Sequence, residues 1–286
     1  MITEPSADIT RAVPLDDLEP IRAGRLRRTR RLLRSTWIAN LIVLIFVVAI
    51  WELIVIIFHE RAYVLPGPDD VASQIYRLRT LLWKDGLATL EAVMIAFAIS
   101  IGAGFPIAVA IAQSEIVDAF LSPILVLSQA VPKVAIAPIL AVWFGLGMDS
   151  TVAVGASIAL FPVVVNIALG LKGVDRELMR LGRSMGGTPL LLFRKVQLPA
   201  ALPSIFVAIK LAIVFSVIGT VVGEFVAGSS GLGYLIELET GEVQTAGAFA
   251  GIVVLSVLAI VLYYAVDIIE RRVVTWLPSR EVLMTT

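Results

Sequence analysis

Cysteine is absent from the 286 residues, and histidine occurs once, as His59. The first absence excludes disulfides, thiolate metal sites and cysteine nucleophiles, and it leaves the redox compartment unread. The second leaves too little to assemble a metal cluster or a nucleophile–base pair; His59 ends an apolar run, where an interface location accounts for it. No Gly-x-x-x-x-Gly-Lys-Ser/Thr stretch occurs, so any ATP has to be handled by another chain. Charge is scarce too. Only 16% of residues are Asp, Glu, Lys or Arg, and 23 basic residues balance 23 acidic ones, so no net field points to nucleic acid.

What is abundant is apolar. At 58% hydrophobic residues and a mean hydropathy of +0.94, the chain reads as an all-α, polytopic membrane protein. Residues 1–36 begin acidic and become polybasic in RAGRLRRTRRLLR, a tail suited to setting orientation and touching anionic lipid. Trp37–Phe58 then forms a first span, about 22 residues and roughly 33 Å of helix. It is too long for a signal-peptide core and no small-x-small cleavage site follows, so it is expected to remain.

His59–Asp85 is placed outside, with Asp70–Trp83 able to form an amphipathic helix. Gly86–Gln113 is the second span, with Ala98, Gly102 and Pro106 as a small face for close helix contact. After a short inner turn, Ser114–Asp118, the third run Ala119–Phe144 is interrupted by Pro123, Pro132 and Pro138 and carries Lys133. Interrupted spans persist only where protein or a water-filled cavity accepts the freed backbone groups. A tight outer loop, Gly145–Ser150, leads to the fourth span, Thr151–Leu171, with Asn166 inside it. The fifth span, Ser204–Ala227, places Ala208, Ala212, Ser216, Thr220 and Glu224 four apart, a face suited to a pore lining or a packing seam. Gly228–Gly233 lacks a phosphate loop's lysine and reads as an outer re-entrant turn. Ala246–Ile269 is the sixth span, and residues 277–286 are a carboxyl-terminal tail.

Between the fourth and fifth spans lies one polar island, Gly173–Pro203. Arg176, Arg180 and Arg183 recur on one helical face and Leu178, Leu181 and Met185 on another. Gly186-Gly187 ends that helix, and Thr188-Pro189 caps and opens a second. Leu198-Pro199 and Pro203 are expected to redirect the chain into the fifth span. The resulting elbow suits either a groove on a partner or a bed of lipid headgroups. Six spans with an inside amino terminus put the tail, the elbow and Arg271-Arg272 on one side, as the positive-inside rule requires.

The elbow resembles the cytoplasmic loop of ATP-binding-cassette importer permeases, whose pattern is Glu-Ala-Ala, three residues, Gly, nine residues, Ile, one residue, Leu-Pro. Gly186, Val196, Leu198 and Pro199 fall in that register. Arg180, Leu181 and Gly182 replace the Glu-Ala-Ala, and Glu177, one turn earlier, is the nearest acid. LPGPDDV, QAVPKVAIAPILAVWFGLG, FRKVQLPAALP and EFVAGSSGLGYLI extend the likeness over about Tyr63–Trp276, toward the nitrate, sulfonate and taurine branch and its thiamine-precursor and riboflavin-like members.

The resemblance implies a permease homodimer of two 37–276 domains in a bacterial inner membrane, with both termini cytoplasmic, two copies of a cytoplasmic ATPase and an extracytoplasmic solute-binding protein. It implies no cofactor on this chain, ATP and Mg being bound by the partner ATPase, and a small anion or aromatic heterocycle as substrate. On this reading Glu177, Arg180, Leu181, Arg183, Met185, Gly186, Leu198 and Pro199 form the ATPase contact. Leu181 and Met185 would enter its groove. Lys133, Asn166, Ser216, Thr220 and Glu224 are expected along the path, the last three there or at the dimer seam, with Lys133 able to attract an anionic or electron-rich substrate or to pair with Glu224 when the path is closed, and Gly228, Gly231 and Gly233 at an outer gate. An ATP-independent secondary transporter or channel is the alternative; it would share the broken span and buried charges but needs no elbow.

Overall fold

In the computed structural model, described here for residues 42–43, 45–57 and 64–276, the regular elements are all helices. They fall into two units divided after Glu60. The first unit contributes α1, Ile45–Ile57, the described part of the expected first span. Residues 37–41, 44, 58 and His59 lie outside the described residues, as do the tails 1–36 and 277–286.

The second unit opens with α2 (Pro68–Arg77) and α3 (Arg79–Gln113). Pro68 supplies a preset first turn, and the Gly67 amide donates to Asp70 Oδ2 at 3.4 Å, so α2 starts two residues before Asp70. Leu78, at φ −90° and ψ 8°, breaks the helix, and α3 begins seven residues before the expected Gly86. Within the chain, α3 packs through a different small stripe. Ala98, Gly102 and Pro106 are exposed, and the buried stripe is Ala92, Ala96, Ser100, Gly104 and Ala108. Both stripes repeat every four residues, so spacing alone could not choose between them.

The expected inner turn at Ser114–Asp118 shrinks to Ser114, whose hydroxyl accepts from the Val117 amide at 3.4 Å and starts α4 (Glu115–Ala130). Of the three prolines in the third run only Pro132 breaks it. Pro123 and Pro138 lie inside α4 and α5 (Lys133–Phe144), whose axes differ by 97°. Gly145 and Gly147, at φ 84° and 108°, turn the chain into α6 (Met148–Lys172), three residues earlier than expected.

The elbow comprises α7 (Arg176–Ser184) and α8 (Pro189–Leu192). Contrary to expectation, Leu198-Pro199 and Pro203 do not redirect the chain. A π turn, Phe193–Gln197, joins α8 to α9 (Leu198–Ala227), giving one helical run of 39 residues. The wider turn bonds the Leu198 amide to the Phe193 carbonyl, which accommodates the donor that Pro199 lacks. After the glycine-rich loop comes α10 (Leu232–Gly241), a helix too short for the hydropathy of the sequence to mark, and then α11 (Thr245–Val273).

α6 and α9 make the most extensive contact, and α3 packs beside both. Glycines allow it: a Cβ on Gly219 would stand 2.7 Å from Gly155 Cα, and one on Gly223 2.7 Å from Thr151 Cα. The core at the elbow end gathers Ala108 and Ile111 from α3, Val163, Val164, Ile167 and Leu171 from α6, and Ala201, Ile205 and Ala208 from α9. Lys210, 6% exposed on α9, pairs with Asp267 and Glu270 of α11, and Asp267 also accepts from Arg271 Nε at 2.7 Å. Among the described residues four helices are long and apolar enough to cross a membrane, five if α4 and α5 count as one bent span.

Candidate functional site

The elbow is fixed at three points. Asp175 Oδ1 accepts from the Glu177 amide at 2.7 Å and caps α7. Gly186, at φ 81°, turns the chain, and the Gly187 amide returns to the Gly182 carbonyl at 3.0 Å. Leu192, buried, packs against Gly182 and Gly187, where a Cβ on Gly187 would lie 2.9 Å from its methyl. What this clasp presents outward is apolar: Leu181 is 58% exposed and Met185 79%, joined by Leu190 and Leu191 of α8. Glu177 and Gly186 are exposed as well, whereas Leu198 and Pro199 are half-buried. Arg180 and Arg183, both exposed, also line a cavity of about 540 Å³, and Glu115, Asp118 and Lys172 share its wall.

Gln197 ties this elbow to the spans. Its Oε1 accepts from Gln113 Nε2 at 2.6 Å and its Nε2 donates to the Leu171 carbonyl at 3.0 Å, joining the ends of α3, α6 and the π turn. Sequence reasoning passed over it. The only signal was a single amide side chain inside FRKVQLPAALP.

At the opposite end of α9, Glu224 is 2% exposed rather than a carboxylate in water. Oε1 accepts from Thr89 Oγ1 at 2.8 Å and Oε2 from the Gly233 amide at 2.7 Å. Thr89 Oγ1 in turn accepts from the Leu232 amide at 2.7 Å, and Asp85 Oδ1 from the Gly231 amide at 3.3 Å. Gly231, at φ 110°, and Gly233 have no room for a Cβ beside the Glu224 carboxylate, while the Gly228 amide closes α9 on the Glu224 carbonyl at 3.0 Å. Gly228, Gly231 and Gly233 are thus brought onto Glu224 as one pinned loop. Asp85 and Thr89, its other anchors, were not singled out from sequence.

Ser216 and Thr220 are fully buried in the seam between α9 and its neighbours, Thr220 beside Gly155. Asn166 donates to the Pro162 carbonyl at 2.8 Å and lines a cavity of about 420 Å³ at the elbow end with Gly170, Asp175 and Ser204. Lys133 does not pair with Glu224, which is held as described. Its Nζ lies 4.9 Å from the Phe161 ring centroid, in a separate cavity of about 370 Å³. Among the described residues no three histidine or carboxylate side chains come together as a metal site.

Residues 100–275 match the model of the binding-protein-dependent transport system inner membrane component family. The chain belongs to this family. It is therefore a permease subunit of an ABC transporter, a multi-pass membrane protein that is not itself catalytic, and the ATP-independent alternative is set aside. The permease is 32% identical to the riboflavin transport system permease protein RibX of Chloroflexus aurantiacus, over 87% of this chain and 94% of that one. It is 33% identical to the formylaminopyrimidine transport permease protein ThiX of Halalkalibacterium halodurans, over 81% and 93%. The taurine transport system permease protein TauC of Escherichia coli is 27% identical over 74% and 80%. In fold, the permease is similar to a chain of the inward-facing MetNI methionine ABC transporter, with a TM-score of 0.60 at 23% identity, over 69% of this chain and 98% of that one.

Proposed function

We propose that this permease forms half of a homodimeric, six-span-per-subunit importer in a bacterial inner membrane, with termini and elbow cytoplasmic, and passes a small anion or aromatic heterocycle received from an extracytoplasmic binding protein. The elbow couples it to a cytoplasmic ATPase dimer, which holds ATP and Mg, so the permease needs no cofactor of its own. The observation that carries this reading is the exposed pair Leu181 and Met185 on a clasped, capped helix: a rigid apolar face of this kind is suited to insertion into a groove on a soluble partner. Exposed Arg180 and Arg183 on the same helix are placed to meet acidic residues at the rim. Lys133, Asn166 and their cavities serve the path. Ser216 and Thr220 hold its wall from behind, and the glycine loop on Glu224 is the outer gate.

The test is Leu181→Asp in the reconstituted complex with its ATPase and loaded binding protein. A charge buried in that groove without a partner is costly. Stimulated ATP hydrolysis is expected to collapse and the ATPase to dissociate more readily on purification. Full stimulation with an intact complex would overturn the coupling assignment.

A further inference from the structure

Two lysines lie within the membrane-spanning helices α5 and α9, and their surroundings differ. Lys210 is neutralised by Asp267 and Glu270. Lys133 has no carboxylate partner among the described residues; what stands beside it is the face of Phe161, at 4.9 Å. A cation in a span normally finds a countercharge, a carbonyl or a watery cavity. Here the cavity is present, about 370 Å³, at the small end of the range for small-molecule sites.

The rest of the lining narrows what fits. Ser128 and Ser157 spend their hydroxyl protons on the Leu125 and Ala153 carbonyls, each at 2.7 Å, so they offer the cavity acceptors only. Lys133 is the first residue of α5, and its neighbour Val131 also lines the cavity, so the start of a half-helix borders it. First-turn amides lack intrahelical acceptors, and half-helix starts inside membranes favour anionic groups. Lys133 therefore supplies a donor and positive charge beside the Phe161 ring, and Leu140 and Leu160 add apolar wall.

We propose that the Lys133–Phe161 cavity is a transit site for a compact ligand bearing an anionic group beside a flat ring. The ammonium leaves Phe161 for the anion, and the freed ring face stacks on the ligand. This deepens the substrate reading given above and rests on it.

The test uses the full permease with its ATPase in phosphatidylcholine nanodiscs, without ATP, probed by saturation-transfer NMR with benzenesulfonate, neutral benzenesulfonamide and ringless methanesulfonate. Benzenesulfonate is expected to compete best, by roughly tenfold over each of the others. Lys133→Gln is expected to abolish the preference for the anion over the sulfonamide, and Lys133→Arg to keep it. Phe161→Leu is expected to abolish the preference for the ring over methanesulfonate. An unchanged anion preference in Lys133→Gln overturns the proposal. Loss of that preference in Lys133→Arg as well assigns the effect to packing and also overturns it. Disappearance of the signal when phosphatidylglycerol replaces phosphatidylcholine assigns the cation to a lipid headgroup and overturns it too. Because binding is read without ATP, failure here leaves the elbow assignment standing, and failure of Leu181→Asp leaves this site standing.

Discussion

The hydroxyl of Thr89 and the carboxylate of Glu224 meet at 2.8 Å across 135 positions of sequence. The same hydroxyl oxygen accepts from Leu232, so one side chain of α3 joins the end of α9 to the start of α10. Thr89→Val keeps the shape and removes both bonds. Leaving a buried acceptor and a buried amide short of a partner costs about 1–3 kcal/mol each. The variant is expected to unfold at lower temperature and to exchange the Leu232 and Gly233 amides faster, read by hydrogen-exchange mass spectrometry, whereas Thr89→Ser should retain protection.

Lys210 makes the opposite kind of prediction, because it has two acids. Lys210→Met takes the ammonium from Glu270 and leaves Asp267 with Arg271 alone, and breaking a buried pair from one side costs about 3–5 kcal/mol. Thermal unfolding in nanodiscs should show a clear fall. Adding Asp267→Leu and Glu270→Leu removes the stranded charges, and most of the loss should return. If the triple variant is no better than the single, the lysine stem rather than the charge carries the contact.

The glycines of α9 and α3 separate by what their missing Cβ would meet. Gly223→Ala would press on Thr151 backbone, which cannot yield like a side chain, and is expected to cost about 1–3 kcal/mol. Gly102 has open space, so Gly102→Ala should stabilise the isolated chain by up to about 1 kcal/mol through helix propensity. Equal effects at the two sites, measured by unfolding in detergent, would contradict the close approach of α6 and α9.

Glu239, on α10, is buried with Oε2 unpartnered, and burial pushes its carboxyl above the usual glutamate range, helped by the nearby charge of Glu242. The folded form therefore binds its proton more tightly than the unfolded chain does. Stability from this group is present at low pH and is lost as pH climbs from about 4.3, the ordinary glutamate value, through the raised one. Glu239→Gln should flatten that slope in unfolding midpoints taken across the window and leave the protein more stable than the parent above it.

Four of the spans and the two short helices of the elbow were readable because their signals are local. Long apolar runs mark α3, α6, α9 and α11, and the Arg and Leu periods, Gly186-Gly187 and Thr188-Pro189 mark the elbow between Arg176 and Pro189. The anchors of the glycine loop were not readable, since Asp85 and Thr89 acquire meaning only from partners in α9 and α10 far along the chain. Lys210 was hidden in the same way: its acids lie on α11, 57 positions away in the case of Asp267, and a lone lysine barely dents a hydropathy window. Prolines misled at Pro199, because a π turn restores a path that an α-helix could not keep.

That π turn has a mechanical consequence. From Pro189 to Ala227 the chain is one 39-residue rod, roughly 58 Å long at 1.5 Å per residue. One tip carries the clasped leucines of the elbow and the other carries Glu224 with its loop. On the coupling and gating roles proposed above, a push delivered at Pro189 would meet no loop in which to dissipate before the glycines, so thrust at one tip and release at the other would be a single stroke.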